Sequence, residues 1–161
     1  MRIDIINLVK LTMESMKKKT SYIDLVTEIN NYEVKEERDI YDLPGIFEPK
    51  NGQSHKFIGY TGDDIMVTIN IKEINNNIYR IGLIIIKETK LWGLISPIKD
   101  YYDNVVNLLI INYGSCQDMG YTKNSLIFKK DEFEINIFFN REHKMDMVVV
   151  LFENKMYYNH F

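Results

Sequence analysis

The alternation of apolar and polar residues predicts a helix followed by three strands, and the chain shows this succession twice. In the second copy, apolar side chains recur at helical spacing between Pro97 and Gly114, two residues that suit the start and the end of a helix. Ser96 just before them is a suitable N-cap. Segments 126–130, 133–139 and 145–152 then alternate with a period of two, as strands do. The first copy has strand patterns at 57–60, 65–72 and 78–88.

Two helices are predicted before the first strands. Residues 2–18 place apolar side chains three and four positions apart, and a second helix is expected to start at Ser21. Its end is open, because either Asn30-Asn31 stops it or it continues through 33–38. Residues 42–56 contain Pro and Gly at several positions and are expected to form a long loop.

These elements predict a single α+β domain over residues 1–161. We expect a mostly antiparallel sheet of five or six strands with two or three helices packed on it, in the order α-α-βββ-α-βββ. Duplication of an α-βββ unit and independent formation of two similar meanders both explain the repeat. The choice between them stays open.

Composition narrows the class of protein. With 161 residues, 45% of them hydrophobic, and a net charge of −3, the chain is typical of a globular protein. It lacks the concentrated basic surface expected for binding nucleic acid or an anionic membrane. No apolar run has the roughly 18 residues needed to span a bilayer. Cys116 is the one cysteine, so no internal disulfide can form, and a cytoplasmic location is expected.

No catalytic, cofactor-binding or metal-binding signature is found in the sequence. Cys116 follows the end of a helix, where the helix dipole disfavours a thiolate. The three histidines are scattered without metal-ligand spacing, and Asp63-Asp64 is ordinary turn chemistry. We therefore expect no catalytic residues, no metal and no cofactor.

The last strands suggest a place where a partner binds, because they are apolar on both sides. If 133, 135, 137 and 139 face the core together with 145, 147, 149 and 151, the opposite side is apolar too. An antiparallel sheet with a solvated face should be polar there, so something is expected to cover it. The cover is either the N-terminal helix or C-terminal tail, or else a protein partner or second subunit. The predicted partner-binding residues are Phe138, Val148, Val150, Phe152 and Trp92, with Ile84 and Ile86 nearby.

The leading functional hypothesis is therefore a cytoplasmic, non-enzymatic protein-binding module. It would resemble an immunity protein or a dedicated chaperone in docking a sheet face onto one partner. The alternative is a small-molecule-binding or enzymatic domain with a pocket between helices and sheet. The residues expected to line that pocket are Tyr60, Tyr79, Tyr101, Tyr121 and Arg80.

Overall fold

The computed structural model describes residues 2–37, 45–88, 97–116, 118–119, 125–142 and 145–159. These residues form an α+β fold with three helices and one antiparallel sheet. The helices are α1 (Ile5–Lys17), α2 (Tyr22–Ile29) and α3 (Pro97–Tyr113). The strands are β1 (Val34–Glu37), β2 (Gln53–Tyr60), β3 (Met66–Ile74), β4 (Asn77–Glu88), β5 (Asp118–Met119), β6 (Ser125–Lys130), β7 (Phe133–Glu142) and β8 (Met145–Asn154).

The sheet consists of two meanders that meet at their last strands. The strand order is β1-β2-β3-β4-β8-β7-β6-β5, and every neighbouring pair is antiparallel. The long strands β4 and β8 therefore lie at the centre and join the two halves into one sheet. Seven strands have four or more residues, and β5 is a two-residue strand at one edge.

The helix ends follow the local sequence. The Asp4 side chain accepts the Asn7 N–H at 3.1 Å at the start of α1, and Ser21 accepts the Asp24 N–H at 3.2 Å at the start of α2. Helix α2 ends at the asparagines rather than continuing. Gly114 follows α3 with φ of 83°, a left-handed conformation that favours glycine. The predicted N-cap of α3, Ser96, lies outside the described residues.

All three helices pack on one side of the sheet, which we call the front face. The Tyr102 ring of α3 lies 6.0 Å from the Phe139 ring of β7, and the Tyr22 ring of α2 stacks on His55 of β2 at 4.1 Å. Helix α1 joins the same apolar core, in which many side chains are fully buried. The strand residues of this core include Phe57, Val67, Ile69, Ile71, Ile81, Leu83, Ile85, Phe128, Ile135, Ile137, Val148, Val150 and Phe152.

The strand count corrects the prediction of five or six. The alternating pattern missed β1, whose Lys35, Glu36 and Glu37 are all exposed, because a charged edge strand shows no apolar alternation. This strand lies close to β2 at Gly59, where a Cβ atom would come within 2.9 Å of the Glu33 carbonyl oxygen. Strand β2 also begins at Gln53, inside the predicted loop.

Candidate docking face

The side of the sheet away from the helices is the candidate site, and we call it the rear face. Cross-strand partners lie side by side and share a face, so the observed pairing assigns each strand residue to one side. In the β7–β8 pair, Ile137 is opposite Val150, and Phe138 is opposite Val149. Val150 is in the front core, so Phe138 and Val149 point to the rear.

This register corrects the expected arrangement of β8. The prediction placed the odd-numbered residues of 133–139 and of 145–151 on the same face. That arrangement corresponds to a five-residue turn at 140–144. In the structure Glu142 pairs with Met145, so only two residues separate the strands. The even-numbered residues of β8, and not the odd-numbered ones, therefore share a face with the core residues of β7. Val148, Val150 and Phe152 lie on the front face and are 0%, 0% and 1% exposed.

Of the four described residues among the five predicted to bind a partner, only Phe138 is brought to the rear face. It lies two strands from Ile84, which was expected beside it, with Val149 between them. The residues that the prediction missed are Met147, Val149 and Leu151 of β8. Their apolar character was visible in the sequence, but the assumed turn length assigned them to the core. Trp92 lies outside the described residues.

Rear-face residues form rows that run across the strands. The first row is Tyr60, Met66, Ile86, Met147 and Asn140. The second row is Lys35, Ile58, Thr68, Ile84, Val149, Phe138 and Ser125. The third row is Glu37, Lys56, Asn70, Gly82, Leu151, Asn136 and Ile127. The fourth, which we call the charged row, is Ser54, Lys72, Arg80, Glu153, Glu134 and Lys129.

The first two rows, which we call the apolar rows, carry no charged side chain from β2 to β6. Most of their apolar side chains are partly exposed, and Tyr60 is 55% exposed. Met66 and Met147 flank Ile86 in the first row. Methionine is flexible and polarisable, and it is frequent on surfaces that bind other proteins. None of the three described α-helices packs on this side of the sheet; a single 3-10 turn, Lys155–Tyr157, lies over the charged row.

The charged row is completed by residues from outside the strands. Lys72 and Arg80 are cross-strand neighbours of like charge, and the Glu48 carboxylate bridges them. Lys72 Nζ lies 3.2 and 3.0 Å from the two Glu48 oxygens. Glu134 and Glu153 are also neighbours of like charge, and Lys155 Nζ lies 3.2 Å from the first and 3.6 Å from the second.

Burial and charge act against each other at Glu48. Burial by itself would raise the pKa of Glu48. The hydrogen bond that the Gly45 N–H donates to Glu48 Oε2 at 2.8 Å and the cations of Lys72 and Arg80 outweigh burial, so the pKa is lowered. Next to this cluster, burial and the Glu153 carboxylate raise the pKa of Tyr158. The Glu48 side chain therefore stays ionised and ties its loop to the sheet.

Residues 45–52 and 155–159 thus lie over the charged row, and we call these two segments the ridge. The Asn159 N–H donates to the Phe47 carbonyl at 2.8 Å, and the Lys155 N–H donates to the Glu132 carbonyl at 2.7 Å. A cavity of about 450 Å³ lies at the ridge, lined by Gly45, Ile46, Phe47, Glu48, Glu134, Lys155 and Tyr158. The ridge covers one end of the rear face, and the third row separates it from the apolar rows.

The four described residues of the alternative hypothesis do not converge on one pocket. Tyr79 and Arg80 lie beside the ridge, where the Tyr79 and Tyr158 rings are 6.0 Å apart. Tyr60 is in the first row of the rear face, whereas Tyr101 is on α3 at the front. Tyr121 lies outside the described residues.

His55 belongs to a polar cluster that the sequence did not indicate. Its Nε2 lies 3.2 Å from Glu73 Oε1, and Glu73 Oε2 accepts the Asn76 N–H at 2.8 Å. Asn76 in turn accepts the backbone N–H groups of Tyr22 and Ile23. Burial, with the charges of Glu36 and Glu73, raises the pKa of Tyr22 to about 12. The cluster fastens the start of α2 to the β3–β4 turn, which is a structural role.

The remaining candidate residues that the structure describes show no converging chemistry. Cys116 is half-buried against the core, and Asp64 occupies a turn with φ of 60°. Within the described ranges, no three His, Cys, Asp or Glu side chains are placed to hold a metal ion.

None of the described helices is both long and apolar enough to cross a bilayer. Comparison of the chain with known proteins finds no matching family model, no matching curated protein and no matching solved structure.

Proposed function

We propose that this chain is a non-enzymatic, cytoplasmic protein-binding module that docks one partner on the apolar rows of its rear face. It would act by stoichiometric binding, as an immunity protein or a dedicated chaperone does. The observation that carries the proposal is the uncharged, partly exposed surface that crosses the strands from β2 to β6. Surfaces of this kind commonly mark sites of protein association.

The contrast between the ends of the rear face supports this proposal. At the charged row, the ridge covers the sheet and neutralises both pairs of like charges. At the apolar rows, most apolar side chains instead stay partly exposed. A partner that covered them would remove apolar surface from water, which is the main favourable term in most protein association.

Site-specific photocrosslinking in the organism that makes the chain tests the proposal. A benzophenone amino acid replaces Met147 on the rear face in one strain and Ile111 of α3, which is 78% exposed, in a control strain. We expect one abundant protein adduct from position 147 and none from position 111. Phe138→Asp in the same background should weaken that adduct. Absence of a protein adduct at 147, or the same adducts at both positions, would reject the docking role.

The cavity at the ridge favours a second candidate, the binding of a small molecule. The exposed side chains of Ile46 and Phe47 give the cavity an apolar side, whereas Lys155 and Glu48, which also line it, already contact opposite charges. A polar group of a ligand would therefore have to replace an existing ion pair. A thermal-shift screen of small metabolites, repeated with Lys155→Met, tests this candidate. A hit whose stabilisation is lost in the variant would favour small-molecule binding at the ridge.

A further inference from the structure

The size of the apolar rows limits what can cover them. They extend from β2 to β6, which is five strand spacings or about 24 Å, and two rows with their side chains are about 12 Å wide. Their area is thus roughly 300 Å², less than half of the roughly 800 Å² per partner found in stable dimers. An α-helix about 10–12 Å in diameter fits this width, and about 16 residues of helix fit this length.

The ridge argues against a second copy of the sheet as the occupant. Two sheets that pack face to face approach to about 10 Å. The ridge stands on the same face, held over the charged row by the contacts of Glu48 and Lys155. It would obstruct the approach of a flat second sheet, whereas a single helix can lie alongside it over the apolar rows.

Charge at the ends of the rows gives the occupant a direction. The second row ends at the exposed Lys35 of β1 on one side and at the uncharged Ser125 of β6 on the other. In the third row Lys56 lies opposite Glu37 of β1, so the β1 edge of the rear face carries two cations and one carboxylate and keeps an excess of positive charge. A helix carries partial negative charge at its C-terminus and partial positive charge at its N-terminus. Acidic side chains and a helix C-terminus are therefore favoured at the Lys35 end.

From these features we infer that the apolar rows bind one amphipathic α-helix of a partner protein. The helix has about 16 residues and lies across the strands alongside the ridge, with its acidic C-terminal end at Lys35. This inference rests on the proposed docking function and specifies the chemistry of the partner. A small contact area makes micromolar affinity the expected range.

Selection from a display library of random 18-residue peptides tests the inference without assuming a helix. We expect enriched peptides to have apolar residues at i, i+3, i+4 and i+7 and acidic residues toward the C-terminus. They should gain helical circular dichroism on binding, with one peptide per chain. Methyl NMR of Met- and Ile-labelled protein should show shifts at Met66, Met147, Ile84 and Ile86.

Variants then locate and orient the bound peptide. Met147→Lys and, separately, Met66→Lys should each weaken binding at least tenfold while urea unfolding stays cooperative. Lys35→Glu should weaken it severalfold, whereas Lys10→Glu on the exposed side of α1 should not. Replacing the acidic C-terminal residues of the peptide by lysine should remove the difference between Lys35→Glu and the parent protein.

Three outcomes would overturn the inference that the partner binds as a helix. The first is selected peptides that bind in extended form, with apolar residues at every second position. The second is methyl shifts confined to other surfaces. The third is a dimer in light scattering that Met147→Lys dissociates, because a second copy would then be the occupant. Each can occur while the photocrosslinking adduct is present, so a wrong partner chemistry is distinguishable from the absence of protein docking.

Discussion

The two ends of the rear face belong to the same sheet, yet they are completed in different ways. At the charged row, Lys72 and Arg80 are bridged by Glu48, and Glu134 and Glu153 are bridged by Lys155. At the apolar rows, most apolar side chains stay partly exposed. Buried charges must be paired within the chain, because leaving one unpaired costs several kcal/mol. Partly exposed apolar side chains carry a smaller penalty, so a fold can leave them for a partner.

The largest expected effect is a difference in stability between two variants at adjacent residues, one on the front face and one on the rear face. Val150→Asp places a carboxylate in the front core, where the side chain is 0% exposed, and should cost about 4 kcal/mol or more. Val149→Asp on the rear should cost only about 1–2 kcal/mol, because its side chain is half-buried. Urea unfolding followed by circular dichroism measures both. Equal losses would show that the rear is covered as tightly as the front.

Removal of the Glu48 charge should be the next largest effect. Glu48→Gln leaves Lys72 buried without its carboxylate and should lower the free energy of unfolding by about 3 kcal/mol. The matched control is Asp103→Asn in the exposed Lys99–Asp103 pair of α3, for which we expect about 0.5 kcal/mol or less. A loss at Glu48 no larger than at Asp103 would mean that the ridge is not held by this ion cluster.

The same variant gives a pH dependence with a defined sign. The pKa of Glu48 is lowered by folding, so its contribution to stability is complete above its ordinary value of 4.5 and declines as the pH falls below it. The difference in unfolding free energy between the parent protein and Glu48→Gln should therefore shrink in acid. A difference that stays constant or grows below pH 4.5 would contradict this account of the charged row.

The smallest expected effect concerns the apolar rows themselves. The double variant with Met66→Lys and Met147→Lys should change stability by about 1 kcal/mol or less, because these side chains are partly exposed. It should also reduce the fluorescence of a bound apolar dye by roughly half, since less apolar surface remains. Replacement of exposed Met156, which lies outside the rows, serves as the control. Unchanged fluorescence would place the dye-accessible surface elsewhere.

The helices and the central strands could be predicted from the sequence because their signals are local. Ser21 caps α2 in the structure as its position suggested, and Gly114 follows α3 in the left-handed conformation. The predicted class, α+β with an antiparallel sheet, is confirmed. Strand β1 was missed because its exposed charged residues obey no apolar alternation. Strand β5 has only two residues, too few to establish a period.

The candidate site could be predicted only in its general character. An apolar rear face on the last strands was expected, and Phe138, Ile84 and Ile86 lie there. The charged row could not be foreseen, because Glu48 is 24 residues from Lys72 and 32 from Arg80 in the chain. Long-range ion pairs of this kind leave no periodic trace in a sequence.

By itself, the sequence determined which residues of a regular strand share a side, since a strand alternates its side chains with a period of two. Strand β4 departs from this period between Ile78 and Arg80, where the β3–β4 register shifts. Only the tertiary structure decided which of those sides meets the helices. That decision depended on the number of residues between β7 and β8, which is two between Glu142 and Met145 instead of the expected five at 140–144. An odd change in this number turns every side chain of β8 to the opposite face.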